Sequence, residues 1–247
     1  MANTSKIDEQ LISTLRKNKP LNDLTHIGRV NGRIDLRGVL LPKPEGIDVI
    51  YSYEALTKPF VVKNYHFDNV DFSYADLSYV IFHKCIFTNC LFEETNLRSA
   101  TLEAMKVIDC HFIKANFRDS FIGVHIGKDS GEIQRTIFAQ TNFTNAIFYF
   151  PIINEALFDN CVLKEVDFDS SRFTNCKFKG VISDSWFRGY SSHWQPGLRL
   201  FSVNYKKFRN PMMNIDFTEC RLDGITFSHG IDLSHCKFPA DEDIVVV

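Results

Sequence analysis

The chain has 247 residues, with 28 lysines and arginines against 30 aspartates and glutamates, and a formal charge of −2. That balance excludes a generally basic nucleic-acid binder and a strongly acidic chain, and a hydrophobic content of 45% excludes a disordered one. The unusual numbers are 23 phenylalanines and 7 cysteines against 2 tryptophans.

The opening MANTSKIDEQ has no apolar core behind a basic patch, so it does not read as a secretory signal. No stretch approaches the roughly 18 consecutive apolar residues of a membrane-spanning helix. Seven cysteines with no CxxC pair argue against a disulfide framework or a zinc site. The expected setting is a reducing cytoplasm, with no membrane, metal or cofactor.

Residues 6–18 are predicted to form an amphipathic helix, with Ser5 as N-cap and Ile7, Leu11 and Leu15 along one side. Such a helix would cover the first layer of the main body. Ile34-Asp35-Leu36 reads as one isolated repeat unit, and residues 42–59, with Pro42, Pro44, Gly46 and Pro59, read as a loop. Residues 1–61 are therefore expected to be a cap with a first irregular coil, and residues 62–247 the main body.

From Val62 onward an apolar residue recurs at every fifth position: Phe67, Phe72, Leu77, Phe82, Phe87, Phe92 and so on through Phe112 to Ile122. The period resumes at Phe138 and Phe143, runs through Phe168 and Phe173 to Phe178, and returns from Phe217 to Phe238. Seventeen of the 23 phenylalanines sit at these centres. The residue two before each centre is usually small, and all seven cysteines fall there: Cys85, Cys90, Cys110, Cys161, Cys176, Cys220 and Cys236. No charged residue occupies either position. A period of five fits neither a helix at 3.6 nor a strand at 2, so both positions must point inward on another kind of repeating turn.

Units such as Val70-Asp71-Phe72-Ser73-Tyr74 and Ala75-Asp76-Leu77-Ser78-Tyr79 resemble the pentapeptide-repeat family. The resemblance covers roughly residues 62–178 and 215–238. It implies an all-β fold, a right-handed four-sided β-solenoid in which four units make one coil. The interior would be fully occupied by side chains, leaving function to the faces, the loops and the ends.

Two interruptions are expected in the rod. One, at about 123–137, inserts some 11 residues between Ile122 and Phe138 and carries His125 and Lys128. The other, 181–214, carries Trp186, Trp194, Lys206, Lys207 and Arg209. Its basic and aromatic residues suit an acidic or nucleic-acid partner; equally, Trp186, Phe187 and Phe201 could form a small satellite core. The run Asp241–Val247 could cap the last coil or pair with a second copy, giving a homodimer through the C-terminal end.

No catalytic constellation emerges. The cysteines read as buried core, no histidine takes an inward position, and Gly123–Asp129 is one residue short of a phosphate-binding loop and lacks its serine or threonine. The faces differ, however. If the insertion keeps phase as counted, Val61, Ile81, Thr101, Phe121 and Ile152 form an outward apolar strip, and Asp76, Asn96, Asn116 and Asp167 line another side with Ile147. The strip is either a contact surface or the seat of an inserted loop.

Two functions are consistent with these features. One is a non-catalytic scaffold for a protein partner, using the strip together with His125, Lys128, Trp194, Lys206, Lys207 and Arg209. The other comes from the resemblance: several family members bind DNA gyrase or related topoisomerases by imitating duplex DNA, protecting against quinolones or toxins. Direct nucleic-acid binding is not expected in either case. With 23 acidic and 19 basic side chains over 62–247, the charge is low for a duplex mimic.

Overall fold

The computed structural model describes residues 8–44, 59–124, 129–190 and 209–240. Each five-residue unit makes a strand of about three residues and then a corner. The corner is a residue in left-handed conformation two places after the centre: Asn89 (φ 52°), Lys114 (φ 53°), Gln140 (φ 53°) and Asn160 (φ 51°) are typical. Repeating that corner every fifth residue turns the chain through four faces. Three faces are parallel sheets, one of them with an antiparallel strand, Arg29–Val30, at its N-terminal end, and the fourth is a line of single bridges from Leu40 through Asp76, Asn96, Asn116 and Asn142 to Val162.

We number the faces from Val61–Lys63. The first face stacks Val61–Lys63, Ile81–His83, Thr101–Glu103 and Phe121–Val124. The second begins at His66–Asp68, and the third contains Val70–Asp71 and Leu91–Glu93. Main-chain hydrogen bonds run between coils, as from the Lys106 amide to the Cys85 carbonyl at 2.9 Å.

The centres fill the interior. On the third face Phe72, Phe92, Phe112, Phe138, Phe158, Phe178, Phe217 and Phe238 make one continuous column, with neighbouring ring centroids 4.3–5.4 Å apart and nearly parallel. Rings of adjoining faces meet edge-on, as Phe67 meets Phe72 at 5.3 Å and 73°. Phe67, Phe82, Phe143, Phe168 and Phe173 are among the largest fully buried side chains, and Leu77 and Phe87 are buried with them.

The small position has a second role besides leaving room. Thr95 Oγ1 donates to the Phe72 carbonyl at 2.8 Å, Ser120 Oγ to Leu97 at 2.8 Å, and Ser171 Oγ to Phe148 at 3.2 Å. Cysteine thiols make the same bond: Cys85 to Val62 at 3.4 Å, Cys161 to Phe138 at 3.1 Å and Cys176 to Ile153 at 3.5 Å. In each of these the donor stands 23 residues after its acceptor, so the contact ties one coil to the coil before it.

The N-terminal helix α1 spans Glu9–Arg16, shorter than the predicted 6–18, and its N-cap is Asp8 instead of Ser5. The Asp8 carboxylate accepts from the Leu11 amide at 2.9 Å, which supplies the capping bond at that point. Leu11 and Leu15 are buried, and α1 packs against Val61–Lys63. Ile34 and Asp35 pair with Val70 and Asp71, extending the third face by one strand.

Both expected interruptions are narrower than the sequence suggests. Lys106–Ile108 pairs with Glu132–Gln134, so the repeat resumes at the buried Ile133, and the shift is 26 residues where 20 is normal. The insertion is six residues, not 11. At the second site the buried Ile182 and Phe187 continue the core. Leu163 pairs with Ile182 only 19 residues away, one fewer than normal. Gly180 (φ +92°) takes up that loss; a Cβ there would lie 3.0 Å from Asn160 Oδ1.

Replacing Phe92 by alanine should cost about 3–5 kcal/mol, because rigid neighbours above and below cannot close the gap; urea unfolding measures it. At the corner, Gln140→Val should destabilise, because a β-branched side chain tolerates the left-handed conformation worse than glutamine does, whereas Gln140→Gly, which removes the offending Cβ, should be at least as stable as the parent in the same titration.

Candidate interaction surface

The residue before each centre points outward, so each face carries a row along the rod. On the first face the row begins Val61, Ile81, Thr101, Phe121. It continues through Ile147, Asp167 and Trp186. Ile152 is not part of it: it lies on the second face between Glu132 and Arg172. The shorter insertion causes this correction, because six added residues bring Ile147 and Asp167 onto the first face where eleven would have brought Ile152. The other row is accordingly Asp76, Asn96, Asn116, Asn142 and Val162.

The first-face row is apolar at one end and aromatic with a charged pair at the other. Arg188 grips the Asp167 carboxylate with two bonds, of 2.9 and 3.0 Å. Tyr149 and Phe150 extend the apolar ground beside Ile147, their rings edge-on at 4.5 Å. Although they point outward, Ile81 and Thr101 are only 6% and 2% exposed. Glu103 is likewise buried and pairs with His83 at 2.7 Å.

Three stretches outside the described residues adjoin strands of this face in sequence. Residues 45–58 precede Val61, residues 125–128 follow Val124, and residues 191–208 follow the Trp186–Arg188 strand. His125, Lys128, Trp194, Lys206 and Lys207 lie outside the described residues. Arg209 is described, and it donates to the Gly230 carbonyl at 2.6 Å, tying the chain to the last coil. The satellite core expected around Trp186, Phe187 and Phe201 is corrected in part. Phe187 stacks between Phe168 (4.6 Å) and Phe227 (5.3 Å) in the main interior, and Trp186 faces outward; Phe201 lies outside the described residues.

Sequence reasoning missed three buried polar side chains, Asp169, Ser170 and Asn210; Asn210 Oδ1 accepts from the Phe173 and Met212 amides at 3.1 Å each. Burial lowers the pKa of the neighbouring Arg172. Asp169 and Ser170 occupy outward positions in the repeat, so nothing in the five-residue frame marks them.

Acidic side chains are paired across coils. Arg135 bonds Asp109 at 2.7 Å and holds its carboxyl below the usual range. Lys106 meets Glu132 at 3.1 Å, and Arg98 meets Asp119 at 3.1 Å. Partial burial would raise the Asp76 pKa, but Lys43 at 2.7 Å and Ser78 outweigh it and hold it low. Asn96 and Asn116 continue from Asp76 as a side-chain ladder of 3.1 and 3.2 Å.

Among the described residues no group of three or more histidine, cysteine or acidic side chains could hold a metal ion. The cysteines are free thiols, and burial pushes Cys85, Cys161, Cys176 and Cys236 up to about 12. Under native conditions at pH 8 a thiol reagent should therefore modify at most Cys236, the one half-buried member, and all seven in denaturant. Mass spectrometry of the adducts counts them.

A family model for pentapeptide repeats matches residues 66–103 and 141–180, in eight copies. Similar solved structures include HetL, a pentapeptide repeat protein involved in heterocyst differentiation regulation from the cyanobacterium Nostoc sp. strain PCC 7120, at 15% identity over 87% of this chain and 81% of that one, with a TM-score of 0.32. A trypsin-treated form of QnrB1, a plasmid-mediated fluoroquinolone resistance protein, is 19% identical over 83% of this chain and 76% of that one, with a TM-score of 0.30. Rfr23 from the cyanobacterium Cyanothece 51142 is 21% identical over 53% and 82%, with a TM-score of 0.16. No curated protein matches the sequence.

Proposed function

Because this chain belongs to the pentapeptide-repeat family, we propose that it is a non-catalytic scaffold that presents its first face, and the segments bordering it, to a protein partner. The observation that carries this reading is the apolar row of Phe121 and Ile147 beside Tyr149 and Phe150, on a rod whose interior is filled by its own rings. A filled interior leaves the surface to do the work, and an outward, half-buried apolar row on one face supports an association surface there. Six of the seven thiols are buried, which supports a reading without cysteine nucleophilic catalysis.

Binding to gyrase or a related topoisomerase is a second reading, drawn from the family. Duplex mimicry needs dense negative potential. Here Asp109, Asp119, Asp167 and Glu132 each have an arginine or lysine against them, which weighs against mimicry and in favour of apolar contact.

The deciding experiment is a gyrase supercoiling assay with and without a quinolone, beside cross-linking pull-downs with the parent and a Phe121→Glu/Ile147→Glu variant. For the scaffold, gyrase activity should be unchanged up to tens of micromolar. A partner should be retained by the parent as salt rises and lost from the variant. Inhibition at low micromolar protein that fades steeply with salt would instead establish the topoisomerase reading. A partner captured equally by the variant would remove the first face from the account.

A further inference from the structure

Among the described residues, two strands at the N-terminal end of the rod have no ladder partner below them, Val61–Lys63 and His66–Asp68, and only the second is left without a helix packed on it. The third face is extended downward by Arg33–Asp35, the fourth by Leu40 against Asp76, and the first is covered by α1. On the second face the sheet, among the described residues, ends at His66–Asp68. The bonds of that strand show which groups are spare. The Tyr65 carbonyl accepts from Ile86 at 2.8 Å, and the Asn69 amide donates to Thr88 at 3.0 Å, both toward the next coil. Main-chain groups alternate in direction along a strand. The amides and carbonyls of His66 and Asp68 therefore face the other way.

They face a cleft of about 390 Å³, lined by Pro20, Leu21, Arg29, Gly32 and Tyr65 besides the strand itself. Its walls are fixed. Tyr65 Oη donates to the Lys19 carbonyl at 2.6 Å, and Arg29 donates to the Gly32 carbonyl at 3.0 Å and to Asn22 Oδ1 at 3.2 Å. The Arg29 bond to Asn22 ties the 3₁₀ turn Leu21–Asp23 to the antiparallel hairpin of Arg29–Val30 and Arg33–Asp35. Arg29 lines the cleft and is exposed, as is Lys19, whose carbonyl takes the Tyr65 bond, and Arg29 has donors left after its two bonds. Asp68 carries the opposing charge, and its carboxylate already accepts from Asn69 Nδ2 at 2.8 Å.

We propose that this edge is a peptide-binding site, taking an extended segment of a partner chain with acidic side chains as one more parallel strand of the second face. The residue opposite Phe67 would donate its amide to the His66 carbonyl and accept from the Asp68 amide, as Phe87 and its equivalents do higher in the rod. Acidic neighbours on that segment would lie near Lys19 and Arg29. The site is on a different face from the apolar row above, and its test reads different atoms, so either reading can fail without the other.

The probe is the peptide acetyl-Thr-Glu-Val-Glu-Thr-amide, added to the isotope-labelled full chain and followed by amide NMR. The expected result is a saturable shift centred on His66 and Asp68, with slowed amide exchange at both. Methylating the valine nitrogen removes the donor to His66 and should weaken binding about tenfold or more. Replacing both glutamates by lysine should weaken it as well, and Arg29→Gln should erase most of that preference. The proposal falls if millimolar peptide leaves His66 and Asp68 unmoved, if the methylated peptide binds as well as the parent, or if the shifts lie on the first face. A concentration-dependent dimer that protects the same two amides without peptide would show that the edge pairs with a second copy, and would also overturn it.

Discussion

The vertical hydrogen-bond ladder is the constraint on which everything else rests. It fixes the rise between coils at the spacing of neighbouring strands, about 4.8 Å, and so forces each residue to stand over its counterpart one coil below. Phenylalanine suits that rule because rings can stack at that separation, as the third-face column does at 4.3–5.4 Å. The thiol and hydroxyl bonds at the small position obey the same rise, since they reach one coil back. They also explain a composition that size alone would not: alanine and glycine are small enough, but only cysteine, serine and threonine offer a proton to that carbonyl.

Regular coils are legible in sequence because two inward positions in five must be apolar or small, and the chain keeps to that from Val62 to Ile122 without a charge. What escapes is phase. Ile133 is a centre, but it follows glycines and a charged stretch, and a count by composition passes over it. One residue lost near Gly180 puts Ile182 and Phe187 off the five-residue frame, so a continuous core looks like a break. A misplaced phase moves a whole face, which is why the count places Ile152 where Ile147 stands. The burial of Asp169, Ser170 and Glu103 is illegible for a different reason: outward positions become buried only through contacts that have no period.

The same ladder that organises the interior also organises charge. Stacked outward positions lie near one another, so any row with mixed signs neutralises itself, as Lys106 with Glu132 and Arg188 with Asp167 do. Among the described residues many charges are paired in this way, which favours the proposed contacts through apolar rows and unpaired main-chain groups. The two surfaces of that kind differ in origin. One is a consequence of side-chain choice along the first face, the other of where the second face happens to begin.

The direction of the ladder also has a mechanical consequence. Its bonds lie along the axis, so a pull on the two ends loads them in tension one coil at a time, where strands drawn along their own length would share the load in shear. Such a rod would not break as a unit; it would unwind from an end. Each lost coil would release roughly 20 residues, about 65 Å of extended chain, while the coils beyond stay wound.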